Sequence, residues 1–418
     1  MQNVILRRNT CRGCDGKELD LFFSLAPTPI GDAYVTADKL NVSQPSYPID
    51  LYMCRSCGMA QLIDVINPDV LYGEYIYVTA SSTGLSEHFQ GYADSVTNRC
   101  QLVPGSLVVD LGSNDGTLLR CFQKLGMAVV GVEPASHIAA HATSMGIPSI
   151  SKYFTPSLAK EMVNEHGHAG LITANNVFAN IDDLMSWVRA VDILLATDGI
   201  FVFESYYLAD LLENTVFDFI YHEHLSSFSV RPMQALFQRV RLNLIAVERV
   251  STKGGSLRYF VQRAGGPLSD DGTVANMLAF EDRIGLYRKE TFVAYAVKIQ
   301  ELKAQTLDFL ISAKRDGKSI AGFGASITCT TLIYHFDIGK YLDYLVDDNP
   351  AKQDRFSPGI HLPVLPSSAL SERKPDYVII LAWRFADTII KKNQNYSRHG
   401  GKFIIPVPEF KICTAKDL

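Results

Sequence analysis

The sequence predicts a mixed α/β protein of three domains, with a small N-terminal metal-binding domain followed by two Rossmann-like domains. Two pairs of cysteines fall within the first 57 residues, and apolar strands followed by glycine turns recur from about residue 104. The same strand-and-turn pattern returns after residue 318. A chain of 418 residues is too long for one ordinary core and fits two or three domains.

Composition and charge exclude several functional classes. Hydrophobic residues make up 47% and charged residues 20%, which is ordinary for a globular protein. The net charge of -5 comes without a basic block, so nucleic-acid binding is disfavoured. No apolar run approaches the roughly 18 residues that span a bilayer, and no signal-peptide stretch precedes the first cysteine. We therefore expect a cytoplasmic protein without a membrane partner, and both a monomer and a homodimer stay open.

The two cysteine pairs predict a structural zinc site. Cys11 and Cys14 form one Cys-x-x-Cys motif, and Cys54 and Cys57 form a second. Each motif can aim two thiolates at one point, and four thiolates suit tetrahedral zinc with no position left for water. The 39 intervening residues are tolerable because the cost of closing a loop grows slowly with its length. Neither motif has the helix-start setting of a redox dithiol.

A glycine turn after the first central strand predicts a cofactor site. Glycines let the backbone approach a ligand closely, and Glu133 ends the next strand 23 residues after Asp110, where it can accept hydrogen bonds from ribose hydroxyls. The turn lacks the GxGxxG spacing, and its polar side chains suit a charged amino-acid tail, so S-adenosylmethionine is favoured over NAD. The predicted cofactor residues are Asp110, Gly112, Asn114, Asp115, Glu133, Pro134, Asn175 and Asn176.

A dense group of polar side chains marks a candidate catalytic segment at residues 220–224, which read IYHEH. A metal site is disfavoured because the segment lacks the HExxH spacing that places two imidazoles on one helical face. A histidine titrates near neutrality and can act as a base, while tyrosine hydroxyls can donate hydrogen bonds to a developing oxyanion. We expect His224 to be catalytic and His222 to be structural.

The order of motifs resembles that of the sugar C-methyltransferases of branched deoxysugar biosynthesis over almost the full chain. The shared motifs are the paired CxxC, YIY at 75–77 before two serines, VVDLGSNDGTLL, GVEPA, ANNVFANI, IYHEHLSSFS, GGSLR, GFGAS, VDDNPAKQ and LAWRFAD. The resemblance implies a zinc-binding domain at residues 1–71, a class I S-adenosylmethionine-dependent methyltransferase domain at 72–309, and a nucleotide-sugar-binding Rossmann-like domain at 310–418.

The same resemblance implies roles for individual residues. His224 matches the proposed base, with Glu223, Tyr221 and Tyr75 around the reacting carbon. The implied substrate is a nucleotide-linked keto-deoxysugar, with dTDP as the expected nucleotide, and a carbon beside the ketone would be methylated through an enolate. The expected substrate-binding residues are Tyr77, Ser82, Lys253, Arg258, Ala325, Ser326, Asp347 and Asn349.

Three other functions stay open from the sequence. An oxygen or nitrogen methyltransferase could act on a similar sugar. An NAD-dependent sugar oxidoreductase could use Gly322, Gly324 and Asp347 in the last domain. A zinc-ribbon protein could bind a partner without catalysing a reaction.

Overall fold

The structure is a computed structural model that describes residues 4–72 and 85–414. Its first part is a small, mostly β region. Its elements are β1 (Ile5–Arg7), β2 (Leu19–Thr28), β3 (Tyr47–Cys54), β4 (Ala60–Leu62), β5 (Asp64–Ile66) and α1 (Pro68–Tyr72). β1 pairs with β5, while β2, β3 and β4 form an antiparallel sheet. Short strands between turns leave this region a limited core of its own.

The second part is built on a seven-stranded sheet. Its strands are β6 (Leu107–Leu111), β7 (Ala128–Val132), β8 (Ser149–Ile150), β9 (Ala169–Asn175), β10 (Leu195–Tyr206), β12 (Leu242–Val250) and β13 (Ser256–Arg263). The strand order is β12-β13-β10-β9-β6-β7-β8, and β13 runs antiparallel to both of its neighbours. Near-continuous apolar runs such as LVVDL form these strands because helices cover both faces of the sheet.

Helices precede, connect and follow the central strands. They are α2 (Leu85–Arg99), α3 (Thr117–Lys124), α4 (Ser136–Ser144), α5 (Pro156–His166), α6 (Leu184–Leu194), α7 (Leu208–Glu213), α8 (Val230–Gln238), α9 (Thr273–Arg283) and α10 (Lys289–Arg315). Sequence signals explain several of their ends. Thr155 caps α5 by accepting a hydrogen bond from the Leu158 amide, and Pro156 occupies the first turn, where its missing N–H costs nothing.

The third part carries a six-stranded sheet, so the prediction of two Rossmann-like sheets is confirmed. Its strands are β14 (Ile320–Phe323), β15 (Tyr344–Val346), β16 (Val364–Leu365), β17 (Tyr377–Ile380), β18 (Lys402–Ile405) and β19 (Lys411–Cys413). Its helices are α11 (Ile327–Phe336), α12 (Ala369–Arg373), α13 (Ala386–Lys392) and α14 (Gln394–Arg398). The order is β16-β15-β14-β17-β18-β19, with β19 antiparallel to β18. Across residues 4–72 and 85–414, helices are too short or too polar to cross a membrane.

Helix α10 connects the three parts. Its buried positions recur every three or four residues, as expected for one apolar stripe on a helix. Near its start, the ring of Phe292 lies 5.1 Å from that of Phe22 in β2, and near its end Phe309 lies 5.0 Å from Tyr377 in β17. A helix of 27 residues is about 40 Å long, which allows it to contact both outer sheets.

A short strand from the central part completes the N-terminal sheet. β11 (Ser226–Ser227) pairs antiparallel with β4, with Ser226 opposite Gln61 and Ser227 opposite Ala60. The resulting sheet has the order β11-β4-β3-β2. The N-terminal region therefore shares backbone hydrogen bonds with the residues that directly follow the candidate catalytic segment.

The four predicted cysteines converge at one point. Their sulfur atoms all lie within 4.8 Å of one another, and the Cys11–Cys57 and Cys14–Cys54 pairs are both 3.5 Å apart. Zinc at about 2.3 Å from four sulfurs would place those sulfurs about 3.8 Å apart, so the cluster fits the ion. The four sulfurs fill a tetrahedral site, which makes the zinc structural.

We expect Cys54→Ser to lose zinc and to unfold at a lower temperature, because three thiolates bind the ion more weakly and this region has little core. Elemental analysis and thermal denaturation measure both effects. Cys413→Ser is the matched control, since Cys413 lies in β19, away from the cluster. Wild-type zinc content in Cys54→Ser would contradict the assignment.

Candidate active site

The glycine turn after β6 lies at the carboxyl edge of the central sheet, where β6, β7 and β9 end next to one another. The backbone φ angles are 74° at Gly112, 49° at Asn114 and 75° at Gly116. A Cβ atom on Gly112 would also lie 3.0 Å from Val177, so both conformation and space favour glycine there. The turn places backbone groups at the edge where ligands bind in open α/β sheets.

Glu133, at the end of β7, stabilises this turn through hydrogen bonds to backbone amides. Its Oε2 accepts a hydrogen bond from the Asn114 amide at 3.0 Å, and its Oε1 accepts one from the Ala135 amide at 2.9 Å. Burial raises the pKa of Glu133, while these two hydrogen bonds oppose that shift. Each carboxylate oxygen keeps a second acceptor site, so ribose hydroxyls could still donate to Glu133.

Other predicted cofactor residues differ in what they offer a ligand. Asp110 accepts a hydrogen bond from Thr173 Oγ1 at 2.6 Å and so connects β6 to β9, and burial raises its pKa to about 7. Asn175, at the end of β9, has a buried side-chain amide next to the Tyr92 hydroxyl, and within the described ranges neither its oxygen nor its nitrogen has a partner in full hydrogen-bonding geometry. Buried amides normally have partners, so Asn175 fits a site that a ligand completes. Asp115, Pro134 and Asn176 lie in the loops at the same edge.

His224 and Tyr221 form a hydrogen-bonded pair in the candidate catalytic segment. His224 Nδ1 lies 2.7 Å from the Phe219 carbonyl oxygen, which can only accept, so Nδ1 carries the proton. Nε2 is then unprotonated and lies 2.9 Å from the Tyr221 hydroxyl, which donates to it. Burial lowers the pKa of His224 to about 3, so the imidazole is neutral near pH 7. His224 is therefore a neutral imidazole whose unprotonated Nε2 accepts a hydrogen bond from the Tyr221 hydroxyl.

His222 has a different environment from His224. Its Nε2 lies 3.2 Å from the Tyr47 carbonyl oxygen in β3, and its ring packs edge-on against Tyr47. Burial lowers its pKa to about 4. His222 thus contacts the N-terminal sheet, which agrees with a structural role.

Charged groups from all three parts of the chain act on Glu223. The pKa of Glu223 is raised to about 8, chiefly by burial and also by the charge of Asp32, while the charges of Lys352 and Lys253 oppose that rise. Desolvation by the surrounding protein lowers the pKa of Lys253 to about 8, although part of its side chain is exposed. The backbone of Lys253 has φ 55° in the short 3-10 turn Thr252–Gly254. The catalytic segment therefore lies where the three parts meet.

Asp218 fixes the C-terminal part to the start of the catalytic segment. Its buried carboxylate accepts hydrogen bonds from Arg384 Nη1 at 2.7 Å and from Trp383 Nε1 at 3.1 Å. A second contact joins Lys352 to Asp32 of the N-terminal part. Buried ion pairs are costly to break because a lone charge would remain, so these contacts hold the interface together.

The predicted substrate residues of the C-terminal part lie together at the carboxyl edge of its sheet. Asp347 Oδ2 accepts a hydrogen bond from the Ala325 amide at 2.6 Å, and Oδ1 accepts one from the Asn349 amide at 2.8 Å. Ser326 caps α11 by accepting from the Cys329 amide. The side chains of Ser326 and Asn349 are exposed and lie beside this edge.

Arg258 is engaged in a buried network. Its Nη2 lies 3.1 Å from Glu204 Oε2, its Nη1 lies 3.3 Å from Glu248 Oε2, and its guanidinium stacks over Tyr92. Glu204 also accepts a hydrogen bond from Thr252 Oγ1 at 2.8 Å, next to Lys253 in the chain. The observed contacts of Arg258 thus support the loop of Lys253, and its contact with substrate stays a prediction.

Several site residues were missed by the sequence analysis, and others cannot be placed. The missed residues are Asp32, Asp218, Lys352 and Arg384. Asp218 and Arg384 are 166 positions apart, so no local pattern could pair them. The predicted residues Tyr75, Tyr77 and Ser82 lie outside the described residues.

Three family models together match most of the chain. A zinc binding domain matches residues 11–72, a methyltransferase domain matches 86–247, and a C-methyltransferase C-terminal domain matches 251–408. The first model covers the four cysteines, the second covers the glycine turn and Glu133, and the third begins before Lys253. These matches agree with the zinc and S-adenosylmethionine sites described above.

Known proteins support the same assignment. The chain is 32% identical over 417 residues to the C-methyltransferase NovU of Streptomyces niveus, covering 100% of this chain and 99% of that protein. A magnesium protoporphyrin IX methyltransferase from Synechocystis with bound S-adenosylhomocysteine shares 15% identity, with 47% of this chain and 92% of that chain covered and a TM-score of 0.35. PH0226 of Pyrococcus horikoshii shares 14% identity over 46% of this chain and 98% of that chain, with a TM-score of 0.37. The identity to NovU extends over the full length of both chains, which shows the family. The chain belongs to the C-methyltransferase family, with S-adenosylmethionine as methyl donor and a structural zinc in its N-terminal region.

Proposed function

We propose that the methyl acceptor is a carbon beside the ketone of a nucleotide-linked keto-deoxysugar, with dTDP as the nucleotide. The observation that carries this proposal is the Tyr221–His224 pair, which offers an unprotonated imidazole nitrogen beside titratable groups from all three parts of the chain. A carbon acid of this kind requires a base, whereas an alcohol or amine acceptor already has a lone pair for attack. The pair therefore favours carbon methylation.

A cavity between the central and C-terminal parts suits the nucleotide. Its volume is about 630 Å³. It is lined by Asn214, Arg249, Lys253, Trp383, Arg384 and Phe385, among others. Aromatic rings stack on bases, and Arg and Lys bind phosphate oxygens, so this lining has the chemistry that a nucleoside diphosphate requires. Lys253 connects the cavity to the catalytic segment, because its charge acts on both Glu223 and His224.

The proposed reaction begins with removal of a proton from the sugar carbon. His224 Nε2 is the final proton acceptor, and the Tyr221 hydroxyl, already hydrogen-bonded to it, relays the proton or turns aside for substrate. The electrons of the broken C–H bond form an enolate. When bound, S-adenosylmethionine would supply an electrophilic methyl group to the enolate carbon, and the electron pair of the broken carbon–sulfur bond would stay on the sulfur of S-adenosylhomocysteine. The ketone is restored, and His224 releases its proton afterwards.

Neighbouring groups can stabilise the enolate oxygen. Because its pKa is raised to about 8, Glu223 is mostly protonated at neutral pH and can donate a hydrogen bond. Lys253, with a pKa lowered to about 8, remains mostly charged there and can offset the negative oxygen. Donors that are already oriented in a site shielded from water stabilise such charge strongly. Ala325, Ser326, Asp347 and Asn349 remain the proposed contacts of the C-terminal part with the nucleotide sugar.

Glu133→Gln tests the proposed cofactor site. The substitution keeps the shape but replaces one acceptor oxygen by an amide nitrogen, so we expect S-adenosylhomocysteine to bind about 1–3 kcal/mol more weakly by calorimetry. Glu165→Gln on the exposed face of α5 is the matched control. Equal affinity in the two variants would remove Glu133 from the site.

His224→Asn tests the base. With S-adenosylhomocysteine and dTDP-4-keto-6-deoxyglucose in deuterium oxide, wild-type enzyme should exchange the carbon-bound hydrogen beside the ketone. We expect His224→Asn to slow this exchange by about 100-fold or more, because a positioned base contributes about that factor. Cofactor affinity should persist, since His224 is assigned to the proton.

His222→Asn provides the matched control, because His222 is a buried histidine two positions away that bonds a backbone carbonyl. It should retain most of the exchange. Exchange in His224→Asn at the rate of His222→Asn would show that another group removes the proton.

A further inference from the structure

Arg12 lies between two zinc ligands and also contacts the catalytic segment. Its side chain is fully buried, and its Nε donates a hydrogen bond to Asp182 Oδ1 at 2.9 Å. Its Nη1 donates to the Leu225 carbonyl oxygen at 3.1 Å and also to the Leu62 carbonyl oxygen. Leu225 directly follows His224 in the chain. One guanidinium thus joins the first cysteine motif to the residue after the proposed base.

The Leu225 carbonyl is held by two donors. Besides Arg12, the Leu62 amide of β4 donates to it at 2.9 Å. The Leu225 amide in turn donates to the Glu223 carbonyl at 3.1 Å, and the His224 amide donates to the Tyr221 carbonyl at 2.9 Å. These bonds make residues 221–225 a compact turn whose far end is attached to the N-terminal sheet. Movement of the Leu225 peptide would therefore move the His224 ring.

We propose that Arg12 is a positioning residue for proton abstraction, which sets the orientation of His224 and Tyr221 by fixing the Leu225 carbonyl from within the zinc-bound turn. This inference rests on the proposed role of His224. The zinc ion fixes the backbone on both sides of Arg12, since Cys11 and Cys14 are both ligands. The Arg12 amide also donates to Gln61 Oε1 at 2.9 Å, next to the residue that holds Leu225. The structural metal is thereby coupled to the base through one side chain.

The presence of a buried guanidinium at position 12 is informative. Burying a charge is costly unless it is paired and hydrogen-bonded, and an apolar side chain would fill the same volume without that cost. The rigid guanidinium donates to Asp182 through Nε and to both carbonyls through Nη1, so it relates the three acceptors in one plane, which the flexible ammonium of Lys does not. The network therefore specifies an orientation in addition to filling space.

Two other arginines contact the same neighbourhood without contacting the catalytic segment in the described structure. Arg239 donates to the Gly13 carbonyl at 2.7 Å and to Asp15 at 2.8 Å, so it also attaches the first cysteine motif to the central part. Arg8 donates to Asp182 at 3.2 Å. Both are matched controls, because each contributes to domain docking and neither reaches Leu225.

The test compares Arg12→Lys with Arg239→Met. Hydrogen exchange of dTDP-4-keto-6-deoxyglucose is measured in deuterium oxide with S-adenosylhomocysteine bound, together with zinc content, S-adenosylhomocysteine affinity and amide deuterium uptake of residues 219–228. We expect Arg12→Lys to keep its zinc and cofactor affinity, to slow substrate exchange on the order of 10- to 100-fold, and to increase amide uptake in 219–228. Arg239→Met should stay within about twofold of wild type in exchange.

Each outcome decides a different question. Equal substrate exchange and equal amide uptake in Arg12→Lys and Arg239→Met would overturn the inference while leaving the proposed function intact. Absence of exchange in wild-type enzyme would count against the proposed function, and amide uptake in 219–228 would then still decide the role of Arg12. If Arg12→Lys does not fold, Asp182→Ala replaces it, because it removes the acceptor that orients Arg12 Nε. If the Asp182 variant retains zinc and exchanges substrate hydrogen more slowly than Arg8→Met, the inference is supported. If the two variants exchange at the same rate, the inference is overturned.

Discussion

The backbone pairing of β11 with β4 is the constraint on which the active site depends. Ser226 and Ser227 close the N-terminal sheet, and the Leu225 carbonyl before them accepts from Leu62. A two-residue strand has little stability alone, so its geometry comes from the sheet that it joins. That sheet in turn lies on a region with a small core, which the zinc site stabilises. The zinc site thereby stabilises the sheet to which the candidate catalytic segment is attached.

Burial also sets the protonation states of the groups in and beside the candidate catalytic segment. His224 and Glu223 are buried, Lys253 lies in the wall of the cavity, and in each case desolvation is the largest cause of a pKa shift that favours the uncharged form. The Phe219 carbonyl selects one tautomer of His224, so the basic nitrogen faces Tyr221. Ion pairs at Asp218 and Asp32 bring the C-terminal part against this site. The three parts together shield the candidate site from water, which would quench the enolate of the proposed reaction.

Local signals in the sequence predicted much of the fold and the ligand chemistry. Both cysteine motifs, the glycine turn and the strands ending at Glu133 and Asn175 are contiguous patterns, and the predicted fold class, zinc and S-adenosylmethionine are confirmed. The domain boundaries and the individual site residues stay predictions. Contacts between distant segments could not be predicted, because nothing local to Arg12 identifies the Leu225 carbonyl 213 positions away.

Arg258 shows why a residue type in the right motif does not determine its role. A guanidinium after two glycines fits a phosphate site, yet here it is paired with Glu204 and Glu248 from neighbouring strands. Cross-strand register decides this pairing, and register depends on the whole sheet. Asn175 is the opposite case, since its buried amide keeps its hydrogen-bonding capacity for a ligand.

The tautomer and charge of His224 provide the most direct measurement of the central claim, that a neutral imidazole with an unprotonated Nε2 serves as the base. Nitrogen NMR of enzyme labelled in its histidines, with His224→Asn used for assignment, reports both. Because burial lowers the pKa of His224 to about 3, the account predicts a neutral ring protonated at Nδ1 throughout the range from about pH 5 to 9. A ring protonated at Nε2, or one that gains a proton within that range, would contradict it.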